Sequence, residues 1–545
     1  MTINYKKVSL FLIFSFSIYL VKEINFLFYN STDSPDFDTY SVYFEYLFNN
    51  ISSTGREQGL IYYYIHSWYF YLNYASFENF EFFTLLHKSI QEVNFILFLI
   101  GLLGIYQLLR FFKFSYYSSL LTLIFINFLP VSIAQRIVFK PEILTFALLP
   151  WIILCLEKYK NEKKYYYILL AVPLLIISVI SKGSIFAMVT FYLFIYYFKD
   201  LLNLGFKKIA ILAIIFLSLF SLVMIEDISS NGQTLIEVES GATRNLKYNY
   251  KAPISVVYNV DLYELVSNPI KNKHADSFIA ISLLDTFGDY YDLYWDNDSS
   301  LFSKNRREVF KFEESKEIKA PTYDSSTKTF TIYLQNLTET YYRKFFGMIL
   351  TACFYFMLLK EIKLDKKLRK FLIAPLIGMF LILIHIISGF PVNNWDPNLG
   401  DTLKPLYYSH LFVLAAAFLS VKLFEKKFRN KLLLIPYILI IFLLIGFPKD
   451  IDYEIQRDVS QLNNYSTTCN LNNTFLSRLG YEPNEECLKT GVNAQIEYDF
   501  MSYEGYNKKP RFKFIHTLTG ILGLISLLFV SFSELKITNF LNQKN

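Results

Sequence analysis

The stretch Asp33-Ser34-Pro35-Asp36-Phe37-Asp38-Thr39-Tyr40 sets three carboxylates close together. Neighbouring carboxylates repel, so at least one of them must be paired, metal-bound or raised in pKa. A carboxylate tuned in that way can take a proton from a hydroxyl within hydrogen-bond reach. The same residues also read as an acidic helix start ahead of an apolar run.

A second group is cationic. Arg136 and Lys140 stand in Gln135-Arg136-Ile137-Val138-Phe139-Lys140-Pro141-Glu142, Lys182 in Ser181-Lys182-Gly183-Ser184, and Lys404 in Gly400-Asp401-Thr402-Leu403-Lys404-Pro405. All four fall between apolar runs. Cations so placed suit phosphate oxygens, above all where negative charge builds on a leaving group. Singly, each also suits snorkelling to lipid headgroups.

A third stretch, Thr54-Gly55-Arg56-Glu57-Gln58-Gly59-Leu60-Ile61-Tyr62-Tyr63, brackets Arg56, Glu57 and Gln58 between two glycines. It suits a tight polar turn lining the side of an acceptor, or a plain structural turn. A fourth, Leu284-Asp285-Thr286-Phe287-Gly288-Asp289-Tyr290-Tyr291-Asp292-Leu293-Tyr294-Trp295-Asp296-Asn297-Asp298, mixes acids and rings as carbohydrate contacts do. Its last three residues lack the downstream glycine and glutamate of a calcium loop, and a structural cap is the simpler reading. The six histidines form no ligand pair at metal spacing, and no phosphate loop or hydrolase elbow occurs.

The elements that must position these residues are membrane spans. The chain has 545 residues, 53% hydrophobic and 19% aromatic, with 55 Phe and 43 Tyr. Lipid can solvate so many rings where a soluble core could not hide them. Apolar runs fall at 8–28, 93–112, 116–134, 142–156, 165–181, 183–198, 208–225, 343–360, 370–390, 407–423, 431–447 and 513–534. The first reads as a retained anchor. These runs predict an all-α polytopic membrane protein of about twelve helices.

Charge sets the orientation. With the N-terminus inside, the cytoplasmic turns and tail hold roughly two dozen Lys and Arg against about seven Asp and Glu, as the positive-inside rule requires. Both termini are then cytoplasmic. The net charge of +6 carries no nucleic-acid reading, because the basic residues lie in short runs between spans.

The expected organisation is a transmembrane core over 1–225 that includes the first outer loop, 29–90. An extracytoplasmic loop follows over 226–342, helices over 343–447, an outer loop over 448–511, and a last helix with its tail over 512–545. The aromatic segments from Tyr40 and Tyr62 suit amphipathic helices in the membrane interface. Thr329-Phe330-Thr331-Ile332-Tyr333-Leu334 reads as a strand, giving a small mixed α/β cap. Cys155 and Cys353 read as packing residues within spans. Cys469 and Cys487 share the last outer loop, where an oxidising compartment favours a disulfide.

A helix, a long first outer loop that opens on acids and an aromatic, and then many helices resemble the GT-C glycosyltransferases, integral membrane enzymes that use lipid-phosphate-linked sugars. Asp36-Phe37-Asp38-Thr39-Tyr40 is similar to both the Asp-Phe-x-x-Tyr and the Asp-x-Asp patterns of that family, and Lys140-Pro141-Glu142 is similar to the Arg/Lys-Pro-Glu of some branches. The resemblance runs over about 8–200; beyond that it rests on topology. The large loop between helices 7 and 8 departs from the branches that carry a single C-terminal soluble domain.

The resemblance implies an inverting transfer with Asp36 as base and Asp38 as second choice. Arg136, Lys140, Lys182 and Lys404 would bind the donor phosphate, with Arg56, Glu57 and Gln58 on the acceptor side and Glu142 and Tyr40 supporting the site. The partners it implies are a polyprenyl-phosphate sugar, an envelope glycan or glycolipid and membrane lipids, with no nucleotide and no nucleic acid. The resemblance fixes no cofactor and leaves room for a divalent Mg or Mn beside the cations that hold the departing phosphate. The layout favours a bacterial inner membrane. An O-antigen-type polysaccharide polymerase or ligase is the alternative, and a transporter or flippase a further one, although the repeats and mid-membrane charges it calls for are not evident.

Overall fold

The computed structural model describes residues 5–28, 40, 43–44, 46–48, 59–74, 82–231, 257–267, 274, 277–287, 315–324, 329–336, 341–387, 405–427, 453–458 and 509–542. Its helices are α1 (Tyr5–Phe28), α2 (Ile61–Tyr74), α3 (Phe82–Phe111), α4 (Tyr116–Asn127), α5 (Pro130–Ile137), α6 (Glu142–Glu162), α7 (Tyr166–Ile180), α8 (Gly183–Leu202) and α9 (Phe206–Asn231). They continue with α10 (Leu262–Ser267), α11 (Phe278–Phe287), α12 (Tyr341–Leu364), α13 (Arg369–Leu372), α14 (Ala374–Ile387), α15 (Ser409–Lys427) and α16 (Phe514–Asn542). A 3-10 turn, Pro405–Tyr408, leads into α15. Strands β1 (Ser315–Asp324), β2 (Thr329–Asn336) and β3 (Tyr453–Asp458) form an antiparallel sheet in the order β1-β2-β3.

The described chain is mostly helical. Among the described residues five helices are long and apolar enough to cross a membrane, or six if one bent pair counts as a single span. The protein therefore has the make-up of a membrane protein. The apolar run 431–447 lies outside the described residues.

The bent pair corrects the reading of 116–134 as one continuous span. α4 and α5 meet at 61°. Pro130 occupies the first turn of α5 and Leu129 before it is extended, at φ −64° and ψ 135°. Proline lacks an N–H and pushes the preceding residue out of helical backbone, so the chain must turn there. Arg136 is consequently in the last turn of a helix rather than in a loop.

α3 and α6 pack closely because two glycines clear the way. A Cβ on Gly101 would lie 2.4 Å from the Phe146 ring, and one on Gly104 2.7 Å from Trp151 Nε1. With those positions bare, the Phe98 and Phe146 rings stack at 5.2 Å, and Trp151 Nε1 donates to the Ile100 carbonyl at 3.0 Å. Small residues let helix backbones approach in just this way in membranes. α3 also starts at Phe82, about three turns before the expected span.

Helix α2, expected from its aromatic content to be an amphipathic interfacial helix, packs one face tightly against the rest of the protein. Ile61, Tyr62, Tyr63, Tyr64, His66, Ser67 and Phe70 are all buried. The physical reason is polar as well as apolar. Tyr62 OH donates to Asn94 Oδ1 at 2.9 Å, and Asn94 Nδ2 donates to the Val138 carbonyl at 3.0 Å. This chain of bonds stitches α2 to α3 and to the corner ahead of α6. Cys353 is likewise not a packing residue: it is exposed on α12, whereas Cys155 is buried.

The sheet crosses two of the expected loops. β1 and β2 belong to 226–342, and β3 to 448–511, with Thr329 opposite Asp458 and Leu334 opposite Tyr453.

Candidate functional site

The site forms where three helix ends meet. α6 opens on Pro141-Glu142, with the carboxylate in the first turn, where the helix dipole favours negative charge. α7 ends at Ile180 and α8 begins at Gly183, leaving Ser181 and Lys182 as the whole corner. Lys182 is extended there (φ −163°, ψ 140°). Its Nζ lies 2.7 Å from Glu142 Oε1 and donates to Tyr40 OH at 3.4 Å. The Tyr407 ring, at the end of the 3-10 turn, lies 4.6 Å from the same nitrogen.

Lys140 shares this environment: its Nζ is 5.9 Å from the centre of the Tyr40 ring, the same distance as Lys182 Nζ. Lys140 and Lys182 thus both lie beside the Tyr40 ring, and Lys182 is the one paired with Glu142. Burial works against the Lys182 ammonium. The Glu142 carboxylate outweighs it, with the Tyr40 and Tyr407 phenols adding to its effect, so Lys182 is held well above the ordinary lysine value. It is a permanent cation.

Aromatic packing fixes Tyr40 in place. Tyr43 stacks on Tyr63 at 4.2 Å, Tyr40 on Tyr63 at 6.1 Å, and Phe139 meets Tyr63 and Phe44 edge-on at 5.4 Å each. These rings bind the first loop to the corner that carries Lys140. Gly59, the residue after Gln58, lies against the end of α7: a Cβ on it would stand 2.4 Å from the Ile180 carbonyl oxygen.

The structure thus brings Tyr40, Lys140, Glu142 and Lys182 together. Arg136 is engaged elsewhere. Its guanidinium covers the Phe98 ring at 4.4 Å, and Nη2 donates to the Asn127 carbonyl at 2.9 Å. There it closes the bend, meeting a carbonyl that the end of α4 leaves without a helical partner. Asp36, Asp38, Arg56, Glu57, Gln58, Lys404, Cys469 and Cys487 lie outside the described residues. Among the described residues no group of three or more His, Cys, Asp or Glu is placed to hold a metal ion.

Two groups escaped the sequence reading. Tyr407 stands three residues after Lys404 and carries no charge to mark it. Only its place beside Lys404-Pro405 was a signal. The second is a polar knot: His516 of α16 pairs through Nδ1 with Glu226 and lies 2.9 Å through Nε2 from Asp227 Oδ1, both on α9. Tyr64 OH and Thr517 Oγ1 are 2.8 Å apart, and Lys513 Nζ donates to Tyr46 OH at 3.0 Å. This knot ties the last helix to the first loop. Adjacent Glu226-Asp227 at the end of an apolar run was the overlooked sign.

No protein-family model matches the chain, and no curated protein and no solved structure matches it either.

Proposed function

We propose that this protein is a GT-C-type membrane glycosyltransferase that moves a sugar from a polyprenyl-phosphate carrier to an envelope glycan or glycolipid. The observation that carries the reading is the hydrogen bond between Lys182 Nζ and Tyr40 OH. Tyr40 closes Asp36-Phe37-Asp38-Thr39-Tyr40 in the sequence, and this bond ties the described end of that motif to the later corner that carries Lys182, which supports the reading.

In the proposed reaction Asp36 accepts the proton of the acceptor hydroxyl, and that oxygen attacks the anomeric carbon in line. The bond from this carbon to the phosphate oxygen breaks, and the phosphate leaves with the electron pair, inverting the configuration. Lys182 and Lys140 face the charge that builds on the phosphate. Glu142 orients Lys182, and Tyr40 links the base-bearing segment to it. Full topology belongs to the same proposal: about twelve spans, both termini cytoplasmic, and the site at the extracytoplasmic face of a bacterial inner membrane. The three-stranded sheet with α10 and α11 is read as the cap over that face.

Asp36→Asn, expressed at the wild-type level, tests the proposal by the envelope glycan composition of the host. Loss of one sugar substituent is expected. Glycans identical to those of the wild type, with the protein present in the membrane, would overturn it.

A further inference from the structure

The last long helix begins directly after a basic stretch. Lys509, Arg511 and Lys513 alternate with Pro510 and Phe512, and α16 follows at Phe514, its first half apolar enough to cross a membrane. Residues that flank a span lie at the level of the lipid headgroups. In the topology proposed above this flank is on the outer side, where cations are disfavoured. Three of them within five residues call for a physical reason.

Aromatic side chains of the first loop hold all three. Lys513 Nζ donates to Tyr46 OH at 3.0 Å and lies 5.1 Å from the centre of that ring. The Arg511 guanidinium lies 5.2 Å from the same centre, and Lys509 Nζ 5.5 Å from the centre of the Trp68 ring. Tyr64 joins the two seats. Its ring meets Trp68 edge-on at 6.2 Å, and its hydroxyl accepts from the Lys513 backbone N–H at 3.3 Å. The backbone is pinned as well, with the Arg511 N–H donating to the Leu47 carbonyl at 2.8 Å. The three charges are thus held as a group.

Carboxylates do not neutralise this group. Among the described residues neither Lys509 nor Arg511 has an ion-pair partner. Glu226 and Asp227, which meet the start of the same helix, are engaged by His516. Lys509 is exposed and Arg511 and Lys513 are half-buried, while Phe512 and Phe514 are 62% and 61% exposed. Exposed rings beside fixed cations suit a membrane boundary, with the rings among acyl chains and the charges at phosphates. Like charges held together repel, and an anion among them removes that cost.

We infer that Lys509, Arg511 and Lys513, with Phe512 and Phe514, form a docking rim for anionic phospholipid headgroups, and that lipid bound there braces the first loop against α16. A zwitterionic headgroup sets an ammonium beside its phosphate, whereas an anionic one brings the net charge that the rim lacks. The inference uses none of the residues of the donor reading and stands apart from it.

The test uses the full-length protein in vesicles of equimolar phosphatidylglycerol and phosphatidylcholine. Phe512→p-benzoylphenylalanine sets a photo-reactive group at the rim, and mass spectrometry identifies the lipids that it captures. Phosphatidylglycerol is expected to exceed phosphatidylcholine about fivefold, the weight of one basic residue at an anionic membrane surface. The same group at Phe529, 64% exposed in the interior of α16, should capture the two lipids almost equally. Lys509→Gln combined with Arg511→Gln brings the ratio at Phe512 down to that at Phe529, whereas Arg511→Lys, which keeps the charge, preserves it. In detergent, added phosphatidylglycerol raises the melting temperature of the wild type more than phosphatidylcholine does, and the double variant loses this gain. Equal capture of the two lipids at Phe512, a preference as strong at Phe529, or one that survives the double variant overturns the rim. A preference without the gain in melting temperature overturns the brace.

Discussion

Lys182 and Glu142 are 2.7 Å apart, with Glu142 1% exposed and the Lys182 side chain 13%. A buried pair of this kind is a weak source of net stability, because both charges have left water. Breaking it is another matter. Removing one partner leaves the other charged and buried, at a cost of about 3–5 kcal/mol.

Lys182→Met is accordingly expected to lower the melting temperature of the purified protein by several degrees. Adding Glu142→Gln removes the stranded carboxylate and should restore most of the loss. Activity behaves differently under the proposed function: it stays lost in the double variant, because the cation facing the donor phosphate is gone. Recovery of activity together with stability would show that Lys182 serves the fold alone.

Gly59 yields a sharper test of the packing around the site. A Cβ there would stand 2.4 Å from the backbone oxygen of Ile180, which cannot swing aside as a side chain can. Gly59→Ala must push the start of α2 off the end of α7. A loss of about 1–3 kcal/mol is expected, with activity falling further than stability. Gly520 provides the control, since nothing lies within 4 Å of its added Cβ. In the interior of α16, Gly520→Ala should be neutral or stabilising by up to about 1 kcal/mol. Equal melting temperatures for the two variants would contradict the close contact.

The helices of this fold were legible because length and apolarity alone define them, whereas their breaks and partners were not. A helix lies at 116–127 as its run suggests, but the break at Leu129-Pro130 needed the proline to be weighed above the hydropathy. Aromatic content marked α2 as amphipathic but not what its buried face meets, and the sign of that partner was polar: Asn94 and His66 sit in apolar surroundings and bond across α2 and α3. Of the cations between spans, charge picked out Lys140, Lys182 and Arg136 alike. Only geometry separates the two that face Tyr40 from the one that stacks on Phe98. Tyr407 illustrates the general limit, since a neutral ring announces no role until its neighbour is known.

Arg136 can be assigned by experiment. Its guanidinium is planar, stacks on Phe98 and reaches the Asn127 carbonyl, a combination that an ammonium group cannot reproduce. Arg136→Lys should therefore destabilise the protein by about 2 kcal/mol, in the range for a buried hydrogen bond made by a charged group, while the affinity of the folded protein for polyprenyl phosphate stays as it was. A binding loss as large as that of Lys182→Met, with stability unchanged, would return Arg136 to the phosphate site.

His66 makes the fold sensitive to acid. It is fully buried in α2, with Nδ1 2.9 Å from the Tyr62 carbonyl and Nε2 3.2 Å from Asn94 Oδ1. Burial disfavours the imidazolium more than these oxygens favour it, and the pKa falls to about 4 from the ordinary 6.5. As pH drops through 6.5 the unfolded chain takes up this proton, and the folded chain does so only near 4. Between those values the unfolded state binds more protons, so stability declines as pH falls, and below about 4 this group adds no further loss. The full effect is on the order of 3 kcal/mol, at 1.36 kcal/mol per pKa unit. Melting temperatures measured in detergent between pH 7.5 and 4.5 should fall more steeply for the wild type than for His66→Gln, which retains a polar side chain but does not titrate. Parallel slopes for the two proteins would mean that His66 is already open to protons in the folded state, and that α2 is not sealed against α3 as the Tyr62–Asn94 bond requires.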